Sequence, residues 1–440
     1  MMTDLHRRAF LSFTATAFGA LTLSGCMTRG SPLADNTVYG PLVPDPNGML
    51  DLPEGFTYRL LSSLGDAMSD GGTVPDKADG MGCLPGNPGE IVLIRNHELV
   101  PSDEGGAQLT VGYDKAARRM VLPGGTTNIV LDAATLEKKR EFRSLAGTIR
   151  NCSGGITPWG TWITCEEFVS EDEHIAPDKL AKHHGWNFEV PANITGQVNP
   201  EPLKAMGRFN HEAACVDPAT GLVYQTEDRN DSVLYRFAPK VPGDLAQGGQ
   251  LQAMRILGLS DTRNWDSAAM PVGKTYAIEW VPLDEVESPK DDLRKRAAAL
   301  GAAIIARGEG IHMGSDELYI CSTSGGAIKR GQVFKLVPGR GAKPDTIELF
   351  FESEDPAQFD YGDNLTVGPN GHLIVCEDQY TPIVDNYLRG ITPDGRAYPF
   401  GRLRMQTELA GGCFSPDGKW FFVNAYSPTR TVAITGPWAA

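Results

Sequence analysis

From residue 51 onward the chain repeats one phrase of polar and apolar positions: a turn of Pro, Gly, Asp or Asn, a short apolar strand, then a polar or acidic end. The phrase reads N-P-G-E-I-V-L-I-R-N-H-E ending at Glu98, T-P-W-G-T-W-I-T-C-E-E ending at Glu167, and D-P-A-T-G-L-V-Y-Q-T-E-D ending at Asp228. It returns as G-S-D-E-L-Y-I-C-S-T-S from Gly314, G-P-N-G-H-L-I-V-C-E-D ending at Asp378, and S-P-D-G-K-W-F-F-V-N from Ser415. Another short segment precedes most of these turns: N-C-S-G-G at 151–155, R-F-N-H-E-A-A-C-V at 208–216, G-E-G-I-H-M at 308–313, Y-G-D-N-L-T-V at 361–367 and A-G-G-C-F-S at 410–415. The repeat interval of about 45 to 95 residues is the scale of four-stranded propeller blades carrying insertions. The pattern therefore predicts an all-β fold, a six-bladed β-propeller, whose innermost strands line a central channel. Polar residues at the starts of those strands then converge on one axial mouth.

Three stretches break the pattern. Residues 289–307 (P-K-D-D-L-R-K-R-A-A-A-L-G-A-A-I-I-A-R) are Ala-rich with an acidic first turn and predict one helix just before a channel strand. Residues 170–206 form a long insertion containing His and Pro, and residues 27–50, rich in Pro, Gly, Asp and Asn, read as a tether to a folded body over 51–440. Before the tether, paired Arg7 and Arg8, then Phe10, Leu11 and a weakly apolar run from Thr14 to Leu23, read as a twin-arginine export signal over 1–26. The run ends in Leu23-Ser24-Gly25-Cys26, which resembles a bacterial lipobox, so the expected location is periplasmic or otherwise extracytoplasmic, with a lipid anchor at Cys26. The alternative is a plain cleaved signal, which also leads out of the cytoplasm.

Composition agrees with a turn-rich globular chain: 41% hydrophobic residues, 50 Gly and 31 Pro in 440 residues. The net charge of −15, from 55 acidic and 40 basic side chains, repels a phosphate backbone and argues against nucleic acid as a partner. Beyond Cys26 the cysteines are Cys83, Cys152, Cys165, Cys215, Cys321, Cys376 and Cys413, an odd number without a C-x-x-C pair, which is no disulfide framework.

The strand ends collect Glu98, Glu166, Glu167, Glu212, Glu227, Asp228, Glu309, Asp363, Glu377 and Asp378, with Asn96, Asn151, Asn210 and Asn364 beside several of them. Taken singly, such acids cap turns or pair with neighbours such as Arg95, Arg208 and Arg229. Gathered at one mouth they would repel one another and raise each other's pKa values unless cations neutralised them. Oxygen ligands suit calcium or magnesium, whereas a thiolate at Cys152 would select a softer or redox-active ion. Cys152 reads equally as a buried thiol in a Gly-rich turn. His97 and His211, each preceding a glutamate, read as structural residues rather than ligands.

The phrases N-C-S-G-G-I-T-P-W-G-T-W-I-T-C-E-E (151–167), H-H-G-W-N-F-E-V (183–190), G-R-F-N-H-E-A-A (207–214), T-E-D-R (226–229) and D-N-L-T-V-G-P-N-G (363–371) resemble the PhoX alkaline phosphatases, over a span from about residue 50 to the C-terminus. The resemblance implies a six-bladed propeller holding ferric iron and calcium ions, and hydrolysis of phosphate monoesters outside the cytoplasm. Carried over by motif, Cys152 and Glu309 would be iron ligands, and Glu98, Glu166, Glu212, Glu227 and Glu377 would fill the remaining iron and calcium positions. Arg307 would clamp the phosphate, since its planar fork matches phosphate oxygens. This chain is shorter than the larger members, and no second basic phosphate ligand is evident, which leaves diesters or another ester class open as substrate. A calcium-dependent lactonase or esterase, and a non-catalytic binding platform, are the competing readings of such a propeller.

Overall fold

The computed structural model describes residues 38–107, 109–116, 120–169, 180–379, 381–382 and 385–438. Each repeated phrase, with the segment before it, is an antiparallel hairpin. The hairpins are Ala78–Pro85 with Glu90–His97, Asn151–Ile156 with Thr161–Glu166, and His211–Val216 with Val223–Glu227. Gly308–Met313 with Leu318–Ser322, Gly362–Val367 with Leu373–Glu377, and Leu409–Phe414 with Phe421–Ala425 complete the set. The first strand of each hairpin is the inner one, and each inner strand touches the next around a ring in which the last meets the first. Runs such as Ile91, Val92, Leu93 and Ile94 are buried without alternation, because sheets packed on both faces bury both sides of a strand.

The fold is all-β and propeller-like, with α-helix confined, among the described residues, to Leu293–Ala299. Its strands form one 9-stranded, one 6-stranded, two 4-stranded and one 3-stranded sheet, plus a 2-stranded pair. This corrects the expected division into six separate blades. Thr275–Pro282 pairs with Gly249–Ile256 on one side and Thr346–Glu352 on the other, and so fuses two groups of strands into the nine-stranded sheet. Closure comes from the chain ends: Thr57–Ser63 pairs with Arg430–Thr435, so an N-terminal strand completes the C-terminal sheet.

The helix expected over 289–307 is also shorter. It stops before Gly301, whose φ of 93° suits glycine, and Ile304–Ile305 then pairs with Ser232–Val233. The expected tether is partly folded. Leu42–Val43 pairs with Leu50–Pro53, which in turn pairs with Ala397–Leu403. Tyr39 packs edge-on against Phe56 at 5.0 Å, and Asp45 accepts the N–H groups of Met49 and Leu50 at 2.8 and 3.1 Å. Within the 170–206 insertion, Asn187–Pro191 is a strand paired with Thr161–Glu166. Arg7, Arg8 and Cys26 lie outside the described residues, and no helix among those described is long and apolar enough to cross a membrane.

Candidate metal centre

Every hairpin brings the same three positions to one axial end. The residue after the second strand donates its backbone N–H to the carbonyl of the residue before the inner strand: Glu98 to Lys77 at 2.9 Å, Glu167 to Arg150 at 2.9 Å and Asp228 to Asn210 at 3.3 Å. The series continues with Thr323 to Arg307 at 3.1 Å, Asp378 to Tyr361 at 3.0 Å and Tyr426 to Glu408 at 3.1 Å. The third position is the second residue of the inner strand: Asp79, Cys152, Glu212, Glu309, Asp363 and Ala410. In five hairpins the pairing register shifts around that residue, between Ala78 and Met81, Asn151 and Gly154, His211 and Ala214, Gly308 and Ile311, and Gly362 and Leu365, and in the sixth it shifts just after it, between Ala410 and Cys413. Such a bulge re-aims a side chain out of the regular pleat, which lets these residues face one another.

Glycines and strained residues make the convergence possible. A Cβ on Gly155 would lie 1.9 Å from Ala214 O, and one on Gly310 would lie 2.7 Å from Asp363 O, so neighbouring inner strands approach at backbone distance. Lys77, Arg150, Arg307 and Tyr361 occupy left-handed backbone at φ 54°, 47°, 48° and 51°. A non-glycine residue held there costs about 1–3 kcal/mol, which the surrounding structure must offset. Asn96 secures the bulge at Cys152 by donating from Nδ2 to Cys152 O at 2.9 Å and Ser153 O at 2.7 Å.

Two groups of donor atoms result. Atoms of Glu98, Cys152 and Glu167 lie within 4.8 Å of one another, as do atoms of Glu212, Glu309 and Asp363. Asp79 links to the first group, its Oδ2 lying 3.6 Å from Cys152 Sγ, and Glu408 sits against Asp378. Burial, followed by the surrounding negative charge, holds the carboxyls of Asp79, Glu212 and Glu309 well above the usual carboxylate range. Burial likewise pushes Glu167 and Asp363 up to about 8, and raises the Cys152 thiol. Asp79 Oδ1 and Glu212 Oε1 are buried without a hydrogen-bond donor, while Glu309 Oε1 is ion-paired with Arg307. Carboxylate oxygens crowded in this way are the donor set for cations, and one thiol among them adds a ligand for a softer ion.

Two arginines bound the centre. Arg307 donates from Nε and Nη2 to Asp228 at 2.6 and 3.0 Å, with Glu309 Oε1 3.0 Å from Nη2. Arg150 donates from Nε to Glu98 Oε1 at 2.7 Å and pairs through Nη2 with Glu167.

Of the residues expected from sequence, Glu98, Cys152, Glu212, Glu309 and Arg307 come together here. Glu166, Glu227 and Glu377 do not. Glu166 accepts N–H groups from Ile149, Gly185 and Trp186 at 3.0, 3.0 and 3.2 Å, and His184 Nδ1 at 2.6 Å. Glu227 accepts Tyr235 OH at 2.7 Å and Arg294 Nη1 at 3.3 Å, and Glu377 accepts Asp360 N–H at 2.9 Å and Arg389 Nε at 2.6 Å. Consecutive residues of an extended chain face opposite ways, so the following residues, Glu167, Asp228 and Asp378, take the places at the mouth. Asp79 and Glu408 were missed. The phrase A-D-G-M-G-C at 78–83, ahead of the first turn, carries the same polar-then-glycine signal as N-C-S-G-G and could have revealed Asp79. His97 and His211 are buried against Asp76 O at 2.9 Å and Gly207 O at 3.0 Å and join neither group.

An all-β, propeller-like body with buried carboxylates, a thiol and two arginines at one axial end is the kind of protein that can hold cations beside a site for an anion. The sequence profile of the family described as alkaline phosphatase PhoX matches residues 37–134 and 108–429, and the chain belongs to that family. It is accordingly a metal-dependent phosphate-ester hydrolase. Among solved structures, Pseudomonas fluorescens PhoX in complex with vanadate, a transition-state analogue, matches 88% of this chain and 96% of its own at 20% identity and a TM-score of 0.69. A gluconolactonase from Xanthomonas campestris matches 91% of this chain and 98% of its own at 14% identity and a TM-score of 0.39, too distant to inform the reading. No curated protein sequence matches the chain.

Proposed function

We propose that phosphate-ester hydrolysis takes place at this axial end, on a mixed centre of ferric iron and calcium. The observation that carries the proposal is the pair of buried oxygens without a hydrogen-bond donor, Asp79 Oδ1 and Glu212 Oε1, among the crowded carboxylates and beside the Cys152 thiol. Cys152, with Glu98 and Glu167, would hold the iron, since a thiolate suits a softer, redox-active ion than calcium. Glu212, Glu309 and Asp363, with Asp79, would complete the iron site and supply calcium with hard oxygens. The bound cations would polarise the phosphoryl group and activate the attacking nucleophile. Arg307, steadied by Asp228, would turn its guanidinium to the phosphoryl oxygens, where charge stabilisation does most of the catalytic work. Glu166, Glu227 and Glu377 act one step back, fixing the strands that carry the ligands.

The ring of inner strands fits a six-bladed plan in which Thr275–Pro282 bridges two blades. We further propose export by the twin-arginine route and anchoring at Cys26, on the strength of the N-terminal motif alone.

The test is elemental analysis of the purified protein together with p-nitrophenyl phosphate hydrolysis before and after chelation. Iron and calcium with chelator-sensitive turnover support the proposal. Calcium without iron or turnover would overturn it in favour of a lactonase or binding platform.

A further inference from the structure

We propose that Arg150 is a second substrate-binding guanidinium, acting with Arg307 on the phosphoryl group, and that the pair selects phosphate monoesters over diesters. The inference rests on the phosphatase reading of the same centre and deepens it.

Arg150 and Arg307 are equivalent by position. Each is the residue before an inner strand, each is held in left-handed backbone, at φ 47° and 48°, and each accepts the backbone N–H that closes its hairpin. Between them in the ring stands Asn210, the matching residue of the intervening hairpin. A continuous chain of polar contacts joins the two guanidiniums. Arg150 pairs with Glu167; Asn210 Nδ2 donates to Glu167 Oε1 at 2.8 Å and to Asp228 O at 3.4 Å; Arg307 Nε donates to Asp228 Oδ1 at 2.6 Å. One arc of the mouth thus carries both guanidiniums, each held by a carboxylate of that arc and with the Asn210 amide between them.

Their exposure sets them apart from the acids they hold. The side chains of Arg150 and Arg307 are 27% and 22% exposed, against 10% and 7% for Glu98 and Glu167, and 16% and 5% for Asp228 and Glu309. The guanidiniums are therefore the more exposed partner in each of these ion pairs and accessible to an arriving anion. Cations bound by Glu98 and Glu167 would draw off the negative charge that holds Arg150, and its fork would then have donors for whatever oxygens lie above them.

Substrate charge decides what two forks select. A phosphate monoester is a dianion with three non-bridging oxygens, enough to engage metal and both arginines together. A diester is a monoanion with two such oxygens, and its second substituent occupies the space of the third. Arg150 therefore contributes chiefly to the monoester.

The holoprotein and its Arg150→Ala and Arg150→Lys variants are compared by kcat and KM for p-nitrophenyl phosphate and bis-p-nitrophenyl phosphate, by calorimetric binding of inorganic phosphate, and by elemental analysis. Arg150→Ala should retain its metals, weaken phosphate binding about tenfold, and lower monoester kcat/KM by about 10- to 100-fold while lowering the diester value much less. Arg150→Lys should restore part of the monoester KM, because it returns the charge without the fork. An unchanged ratio of monoester to diester kcat/KM, or metal loss in proportion to activity in both variants, would overturn the proposal and leave Arg150 as a positioning residue for Glu98 and Glu167. Wild-type protein that turns over neither ester and binds no phosphate would sink the phosphatase reading itself, which the Arg150 comparison does not.

Discussion

Glu166 and Glu167 are neighbours in the chain whose carboxylates serve opposite sides of one strand end. Glu166 faces away from the mouth, where His184 donates to it at 2.6 Å, while Glu167 is bound by Arg150 and by Asn210 at 2.8 Å within the donor group of Glu98 and Cys152. The arrangement recurs at Glu227 with Asp228 and at Glu377 with Asp378. One acid of each pair is bound within the sheet and the other stands at the axial end.

Substitutions in this pair should therefore separate stability from chemistry. Glu166→Ala strips the acceptor from a buried His184 and from backbone N–H groups, and should cost about 3–5 kcal/mol in thermal or denaturant melts. Glu167→Gln keeps the shape and removes a ligand charge. It should melt near wild type yet bind less metal and turn over at least about tenfold more slowly.

His184 should make holoprotein stability fall at alkaline pH. Burial alone would depress its pKa, but the carboxylates of Glu166 and Asp114 raise it to about 9. The folded value lies above the unfolded one, so the contribution is complete below pH 6.5 and is lost as pH rises through 9. A shift of this size corresponds to about 3 kcal/mol. Melts from pH 6 to 10 should show the loss, and His184→Gln should flatten that part of the profile.

Metal-free protein should also lose stability with rising pH, over a lower range. Burial first of all raises the folded pKa values of Glu167 and Asp363 to about 8, and it raises Asp79, Glu212 and Glu309 well above the usual carboxylate range. Their folded forms keep protons that the unfolded chain releases near pH 4, so stability falls from about pH 4 to pH 8. Added calcium and iron should cancel most of that fall. Melts with and without metal measure the difference.

Gly310→Ala should damage the centre from within the backbone. Its Cβ would stand 2.7 Å from Asp363 O and from Leu365 N, atoms that cannot move aside without parting two inner strands. We expect a loss of about 1–3 kcal/mol, together with weaker metal binding than an alanine on the exposed turn at Gly371 produces.

Much of the fold was legible because its signals are local. Turn residues, apolar strands and polar ends recur along the chain, and each repeated phrase proved to be a hairpin. Cys152 and Glu309 could be found because they lie in short glycine-rich phrases, and Glu212 because it follows Asn210 and His211 at the start of an inner strand. Those glycines are needed where inner strands meet, as Gly155 against Ala214 shows. The same local view erred by one residue at Glu166, Glu227 and Glu377. A strand's last residue and the one after it share composition and differ only in the side they face.

The sequence alone determined the hairpins, the acidic and cysteine-bearing ends, and the family to which they point, since these depend on neighbouring residues and survive without a partner strand. The tertiary structure decided the rest. It fused two groups of strands through Thr275–Pro282, folded residues 38–50 onto the body, and brought Asp79 and Glu408 to the mouth. It also chose which acid of each pair faces the centre. These outcomes depend on bulges, on closure of the ring by chain ends far apart in sequence, and on burial that raises or satisfies each charge, none of which a single phrase can contain.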